Sequence, residues 1–424
     1  MKVLVVGSGG REHAIVYKLS QSPQVDKIYC APGNAGIAAL AECVDIKVME
    51  FDKLVNFAKE KEIDLTVVAP DDPLVAGAVD AFKAAGLRAF GPEAKAAIIE
   101  GSKAFSKDLM KKYNIPSAAY ETFDNPDAAL KYLETAKMPI VLKADGLALG
   151  KGVLICNNLE EAKEGVKTIM LDKQFGSAGN KMVIEEFMTG REVSVLLFCD
   201  GTNIKAMSSA QDHKRAKDGD QGLNTGGMGN FSPSPFYTDE IKTFCEEKIF
   251  KPTMAAMKAE GRDFVGVLFV GLMLTPDGPK VLEYNARFGD PEAQVVLPRL
   301  ENDIIDVFNA CIDGTLDKVD LKFSDEACVC VILASDGYPV KYEKGFKITG
   351  LEKFDGRDDY FCFHAGSKFD ENGNIVTNGG RVLGVTAKGA TLKEARTKAY
   401  EAVDWVDFAN KYYRHDIGKA IDEA

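Results

Sequence analysis

The chain has 424 residues, which at about 150 residues per domain predicts two to four domains. Apolar residues make up 46% and charged ones 27%, enough to bury a sizeable core and to exclude disorder as the main state. Acidic residues outnumber basic ones 64 to 52, a formal charge of −12, and no local basic patch offsets it, so nucleic acid is excluded as a partner.

The chain opens MKVLVVGSGGREHA, an apolar stretch too short for a signal peptide that reads as a first buried strand. No apolar run approaches the roughly 18 residues of a membrane span, so no membrane partner is expected. The first 90 residues alternate short apolar strands (3–6, 27–30, 65–69, 87–90) with helical patterns (around 14–19, 51–59 and 75–85). That order predicts a parallel sheet with helices on its faces. Helical signal runs from about 101 to 113, and Asp124-Asn125-Pro126 caps another helix at an expected domain boundary. From there to about 200 the pattern is strand-rich, with a glycine-bearing turn at 145–152. The polar, glycine-rich stretch 211–230 shows no periodicity and predicts a long functional loop. Two strands joined by Pro276-Asp277-Gly278 fill 264–285. Strands near 327–334, 360–364 and 381–386, a hairpin turn at 372–374 and a helix over 392–405 complete the chain.

Nine cysteines, with no C-x-x-C pair, predict free thiols in a reducing cytoplasm, and Cys328 and Cys330 share one face of their strand. Four scattered histidines without H-x-x-x-H spacing argue against zinc. His213 lies in the polar loop within reach of a substrate, whereas His364 and His415 are expected to be structural.

The turn GSGGRE (7–12) follows a strand and opens a helix, where glycines let backbone amides approach an anion. A dinucleotide fingerprint needs glycine at position 12, where Glu12 stands, and the second strand ends in Cys30-Ala31 rather than an acidic residue. A nicotinamide dehydrogenase is therefore disfavoured. The loop KADGLALGKG (143–152) has three residues rather than four between Gly146 and Gly150, and Gly152 where a P-loop needs Ser or Thr. Its lysines and glycines still suit folding over a polyphosphate; an unliganded hairpin is the plainer alternative. Glu185, Glu186 and Phe187 end an apolar strand, and Glu192 follows; a solvated acidic face would look the same. Glu283 and Asn285 share a strand face opposite Tyr284. One carboxylate and one amide oxygen are hard ligands suited to magnesium that keeps waters and phosphates as its other ligands. Arg287 falls on the same side if the strand persists, and Asp290 and Glu292 add polar groups at a helix start.

Together these motifs resemble the glycinamide ribonucleotide synthetase (phosphoribosylamine–glycine ligase) family of ATP-grasp enzymes over essentially the full length. The blocks, in order, are GSGGREHA (7–14), APGNAG (31–36), DDPLVAG (71–77), EGSKAFSK (100–107) and VLKADGLALGKGV (141–153). They continue with VIEEFMTGREVS (183–194), AQDHKRAKDGDQGLNTGGMG (210–229), VLEYNARFGDPEAQ (281–294) and NGGRVLGVTAKG (378–389).

The resemblance implies an α/β protein in four parts. These are an N-terminal parallel-sheet substrate domain (1–122), an ATP-grasp lid (123–190), an ATP-grasp core (191–325) and a small α+β C-terminal domain (326–424). It implies that Lys103 and Lys143 hold ATP phosphates under a loop containing Gly146, Gly150, Lys151 and Gly152. Glu185, Glu186 and Phe187 would line the adenine site and Glu192 would take the ribose. Glu283 and Asn285 would bind magnesium or manganese; the preceding strand, Val270 to Met273, supplies no further acid. Gly9, Gly10, Arg11, Asp71, Asp212, His213, Lys214, Gly226, Gly227, Met228, Gly229, Arg287 and Asp290 would form the phosphoribosylamine and glycine pocket. Lys143, Asp212 and Arg287 would be catalytic. The implied reaction joins glycine to 5-phosphoribosylamine through glycyl phosphate, with release of ADP and phosphate, on a monomer. A non-catalytic ATP-binding regulator, another ATP-grasp carboxylate–amine ligase and an ATP-grasp carboxylase are the alternatives.

Overall fold

A computed structural model describes residues 1–148 and 152–424. The strand Lys2–Gly7 is buried on both faces from Val3 onward, as a central parallel strand must be. It pairs in parallel with Lys27–Pro32 on one side and Leu65–Val68 on the other. Glu42–Cys43 and Ala89–Phe90 extend the sheet to five strands, with the chain reversing direction across the first strand. At that reversal the carboxyl ends of strands open a crevice, here flanked by the 7–10 turn and by Asp71 at the start of Asp71–Val75. The helix expected over 75–85 is two pieces, Asp71–Val75 and Ala78–Ala84, because Gly77 turns left-handed between them at φ 94°.

Asn125 caps Pro126–Leu133, its side chain accepting from the Ala128 amide at 3.0 Å. A four-stranded antiparallel sheet follows, in the order Tyr120–Phe123, Met182–Glu186, Ile140–Ala144, Val153–Cys156. A second four-stranded sheet has the order Ile204–Ala206, Arg191–Asp200, Val265–Thr275, Gly278–Asn285. The segment leading into the first sheet meets the edge strand of the second, where the Val281 amide donates to the Pro116 carbonyl at 2.8 Å.

The stretch 211–230 is not an aperiodic loop. Arg215–Lys217 and Gln221–Asn224 form a hairpin, while Gln211–Asp212 and Gly229–Ser232 are strands. The latter two belong to the sheet built by Ala327–Ser335, Arg381–Gly389 and Tyr360–His364, so this sheet spans the expected division at 325. Glycines and polar side chains mask strand periodicity there; Gln211–Asp212 and the hairpin pair within the stretch, and only Gly229–Ser232 finds a distant partner, in Ala327–Ser335. Leu392–Val403 packs as a helix over that sheet and ends before Trp405. Cys328 and Cys330 lie on one buried face, as alternation requires.

Candidate active site

The cleft lies between the two four-stranded sheets. Lys143 sits on Ile140–Ala144 between Val153 and Val183 of its neighbours. Its ammonium nitrogen is 3.0 Å from Glu185 Oε2 and donates to the Leu282 carbonyl at 3.2 Å, spanning from one sheet to the other. That carbonyl is free to accept because Leu282 is a bulge: Val281 faces Leu272 and Glu283 faces Gly271, leaving Leu282 without a partner. Glu185 is buried and lies 3.9 Å from a second buried cation, Lys107, whose pKa burial pulls down to about 8 against the pull of Glu185.

Lys103 opens the helix Lys103–Lys112, capped by Ser102, and donates to the Gly146 carbonyl at 2.8 Å. Burial and the Lys143 charge hold its ammonium below the usual lysine range, opposed by Glu283 and Asp145. Asp145 accepts from Ser102 Oγ and from the Ala104 amide, both at 3.0 Å, pinning the entrance of the glycine loop to that helix. Gly146 takes φ 133°, which a side chain would resist. Gly152 is described, but Gly150 and Lys151 lie outside the described residues.

Glu283 and Asn285 lie on the face of Gly278–Asn285 away from buried Tyr284. Gly271 stands opposite Glu283, and a Cβ there would come within 3.2 Å of Glu283 Cγ, so the glycine leaves the carboxylate its room. Among the described residues no group of three or more His, Cys, Asp or Glu side chains forms a cage. One carboxylate and one amide oxygen fit a hard divalent ion that takes its other ligands from phosphate and water. Glu192 shares the cleft: desolvation, Glu283 and Asp212 raise its carboxyl above the usual range, against Lys214 and Lys143.

The acceptor side is assembled from three regions. Lys214 Nζ is 2.8 Å from Asp212 Oδ2, and Asp212 Oδ1 accepts from the His213 amide at 2.7 Å. Burial opposes the Lys214 charge, but Asp212, Glu292 and Glu283 together raise its pKa. Arg287 lies beyond the strand end and reaches Glu100 at 3.1 Å and Asp71 at 4.0 Å, while Glu100 also accepts the Ala286 amide at 2.6 Å. The Arg11 amide donates to Asp290 Oδ2 at 3.3 Å, and its guanidinium donates to the Phe288 carbonyl at 3.3 Å and to Glu12 at 2.6 Å.

Several expected site residues have other employment. His213 uses both ring nitrogens on backbone groups, Gly229 O at 2.9 Å and the Gly418 amide at 3.1 Å, so it braces the turn rather than facing a substrate. Met228 is a core side chain packed with Phe231 and Val331. The Gly9 amide donates to Glu12 Oε2 at 2.6 Å, filling the anion position of the turn with the chain's own carboxylate. A side chain at Gly10 would collide with Gln294, so Gly10 serves close packing. Glu186 is exposed, accepting from the Ala119 amide at 3.1 Å at the rim, and Phe187 is 38% exposed beside it. Missing from the expected site were Glu100, Lys107, Glu292 and Arg381, although each stands inside a quoted block.

Glu292 is 2% exposed and accepts from Ser194 Oγ at 3.2 Å. Burial first, then the Asp212 charge, lifts its pKa to about 7 from 4.5. The folded state therefore holds this proton more tightly than the unfolded chain. Its stabilising contribution is complete below about pH 4.5 and is lost as pH rises through about 7. Glu292→Gln is expected to gain stability over wild type above pH 7, by up to about 3 kcal/mol, and almost none near pH 4.5. Thermal melts across that range check it; a gap independent of pH would mean that Glu292 stays ionised.

Two facing antiparallel sheets, with Lys143 on one, a Glu–Asn pair on the other and Lys103 on the helix Lys103–Lys112 beside them, define an ATP-grasp architecture. Models of phosphoribosylglycinamide synthetase domains match the chain in three blocks: the N domain over residues 1–100, the ATP-grasp domain over 101–293 and the C domain over 328–420. The chain is 51% identical to the phosphoribosylamine–glycine ligase of Caldanaerobacter subterraneus over 417 residues, covering 98% of this chain and 99% of that one. It is 50% identical to the ligase of Halalkalibacterium halodurans, covering 100% and 98%. Its fold superposes on the crystal structure of the Thermotoga maritima ligase with TM-score 0.85 at 34% identity, covering 99% of this chain and 100% of that one. The biotin carboxylase domain of Hydrogenobacter thermophilus 2-oxoglutarate carboxylase, solved with MgADP and bicarbonate, shares the fold alone. Its TM-score is 0.73 at 16% identity, with 97% and 91% covered. The chain belongs to the phosphoribosylglycinamide synthetase family. It is an ATP-dependent carbon–nitrogen ligase of the phosphoribosylamine–glycine type, acting on small molecules in a step of purine biosynthesis. No helix among the described residues is long and apolar enough to cross a membrane.

Proposed function

We propose that this chain forms glycinamide ribonucleotide in two steps within the cleft, with residues 123–190 acting as the lid. The observation that carries the reading is the placement of Lys103, Lys143 and Glu283 in one electrostatic neighbourhood between the two sheets. First, a glycine carboxylate oxygen attacks the γ-phosphorus of ATP, ADP leaves, and glycyl phosphate forms. Lys103 and Lys143 offset charge on the transferring phosphoryl group, and Arg287 orients the glycine carboxylate. Second, the amine of 5-phosphoribosylamine attacks the acyl carbon, phosphate leaves, and Asp212 takes the proton that the amine sheds. Asp290, Arg11, Asp71, Lys214 and the backbone of 226–229 border the pocket in which that amine is held.

Glu283 and Asn285 would hold magnesium, or manganese in its place, which when bound neutralises charge on the β- and γ-phosphates. Glu185 fixes Lys143, the 185–187 segment lines the adenine, and Glu192 takes the ribose. Closure excludes water from the acyl phosphate. We take the enzyme as a cytoplasmic monomer: one chain supplies every residue named, and its nine free cysteines, seven of them buried, suit a reducing compartment.

ADP release is expected to require both glycine and freshly made phosphoribosylamine, with a glycyl amide as product identified by mass spectrometry. A requirement for bicarbonate in place of glycine would overturn the assignment in favour of a carboxylase.

A further inference from the structure

The acceptor side of the cleft is walled by a region to which no role has been assigned. Arg381, at the start of Arg381–Gly389, leaves the C-terminal sheet and enters the space between Asp290 and the 226–227 turn. Its Nη1 donates to the Asp290 carbonyl at 2.8 Å and to the Gly227 carbonyl at 3.4 Å, and its Nη2 is 3.5 Å from Asp290 Oδ1. A Cβ at Gly226 would stand 2.9 Å from Arg381 Cζ and 3.0 and 3.1 Å from its terminal nitrogens, so the guanidinium lies against bare backbone. Tyr338, from the same sheet region, accepts the Gly226 amide at 3.1 Å.

The turn thus gripped is packed against the chemistry. A Cβ at Gly227 would lie 2.7 Å from Asp212 Oδ1, and Asp212 ends a strand of the sheet to which Arg381 belongs. Asp290 meanwhile binds the Arg11 amide and Gln294 Nε2, so one guanidinium ties together the N-terminal helix, the 226–227 turn and the Asp290 segment. A planar fork with donors in fixed directions can bridge three acceptors; an ammonium on a flexible stem cannot hold them in one geometry.

We propose that Arg381, assisted by Tyr338, is a positioning residue that sets the glycine and phosphoribosylamine side of the active site without touching ATP. The proposal rests on reading Asp212, Asp290 and the 226–229 turn as the acceptor pocket. Arg381→Lys keeps the charge and loses the fork. It is expected to raise KM for phosphoribosylamine or glycine by about tenfold while KM for ATP stays within about twofold. Tyr338→Phe, which removes only one oxygen, should move the same constant by about threefold. Arg381→Ala should regain part of its activity with added guanidinium ion, a response that loss of packing alone does not give. Melting curves show which variants are folded; if Arg381→Ala is not, Arg381→Lys and Tyr338→Phe carry the test. KM for ATP rising in step with the acceptor constants, or all constants staying at wild-type values, would overturn the proposal. A wild-type enzyme that releases ADP without glycine would instead sink the underlying assignment, so the two failures are distinguishable.

Discussion

Glu283→Gln is expected to lower turnover by about 100-fold or more and to raise the free magnesium needed for half-maximal rate. The substitution keeps size, exchanges one acceptor oxygen for a donating amide nitrogen and removes one full charge. Its effect is large because the residue opposite is Gly271, which brings no charge, and two of the cleft's other carboxylates are already paired with lysines. Asp212 is paired with Lys214 at 2.8 Å and Glu185 with Lys143 at 3.0 Å. Asn285→Ala should act in the same direction and less strongly, since it deletes an oxygen ligand without changing charge. The measurement is initial rate against free magnesium at saturating substrates. Wild-type turnover with an unchanged magnesium requirement would falsify the placement of the ion.

The second large effect concerns Lys143. Lys143→Met keeps the stem and deletes the ammonium that joins Glu185 of one sheet to the Leu282 carbonyl of the other. Two losses coincide. The phosphoryl group loses a preorganised positive charge, and Glu185, 3% exposed, is left with Lys107 at 3.9 Å as its remaining cation. Turnover should fall by about 100- to 1000-fold, with a smaller rise in KM for ATP if Lys103, the other lysine proposed to meet the phosphates, remains in place. A kcat within about threefold of wild type would mean that Lys143 is a structural bridge and that Lys103 carries the charge alone.

Local chemistry made much of this legible in advance. Val3 to Val6 and Leu65 to Val68 are continuous apolar runs because a parallel strand covered on both faces admits nothing else. Asn125 before Pro126 marks a helix start because its side chain replaces a missing amide partner. Glu283, Tyr284 and Asn285 alternate as a strand must. What could not be read is what depends on distant pairing. The bulge at Leu282 arises from how Val265–Thr275 lies alongside, and it breaks no local pattern. Within 211–232 the strand Gly229–Ser232 takes its place because Ala327–Ser335 lies alongside it, a partner that no short window contains. For the same reason Glu100 and Arg381 were not picked out: each acts on residues 91 to 187 positions away, across an interface without periodicity. His213 misled for a simpler reason. A histidine in a polar stretch suggests open chemistry, and only the fold reveals that two backbone groups already occupy its ring.

The Glu12 carboxylate over the 7–10 turn carries one more consequence. It accepts the Gly9 amide from only three residues away, so it competes for that amide as a tethered ligand, at an effective concentration in the millimolar range or above. A free anion of ordinary cellular abundance must displace this built-in one, and it gains only what is left after the exchange. A turn whose open backbone amides would otherwise attract an anion is thereby desensitised. The crevice can leave its selectivity to the side chains beside it, Arg11 and Asp71, rather than to a backbone that binds phosphate indiscriminately.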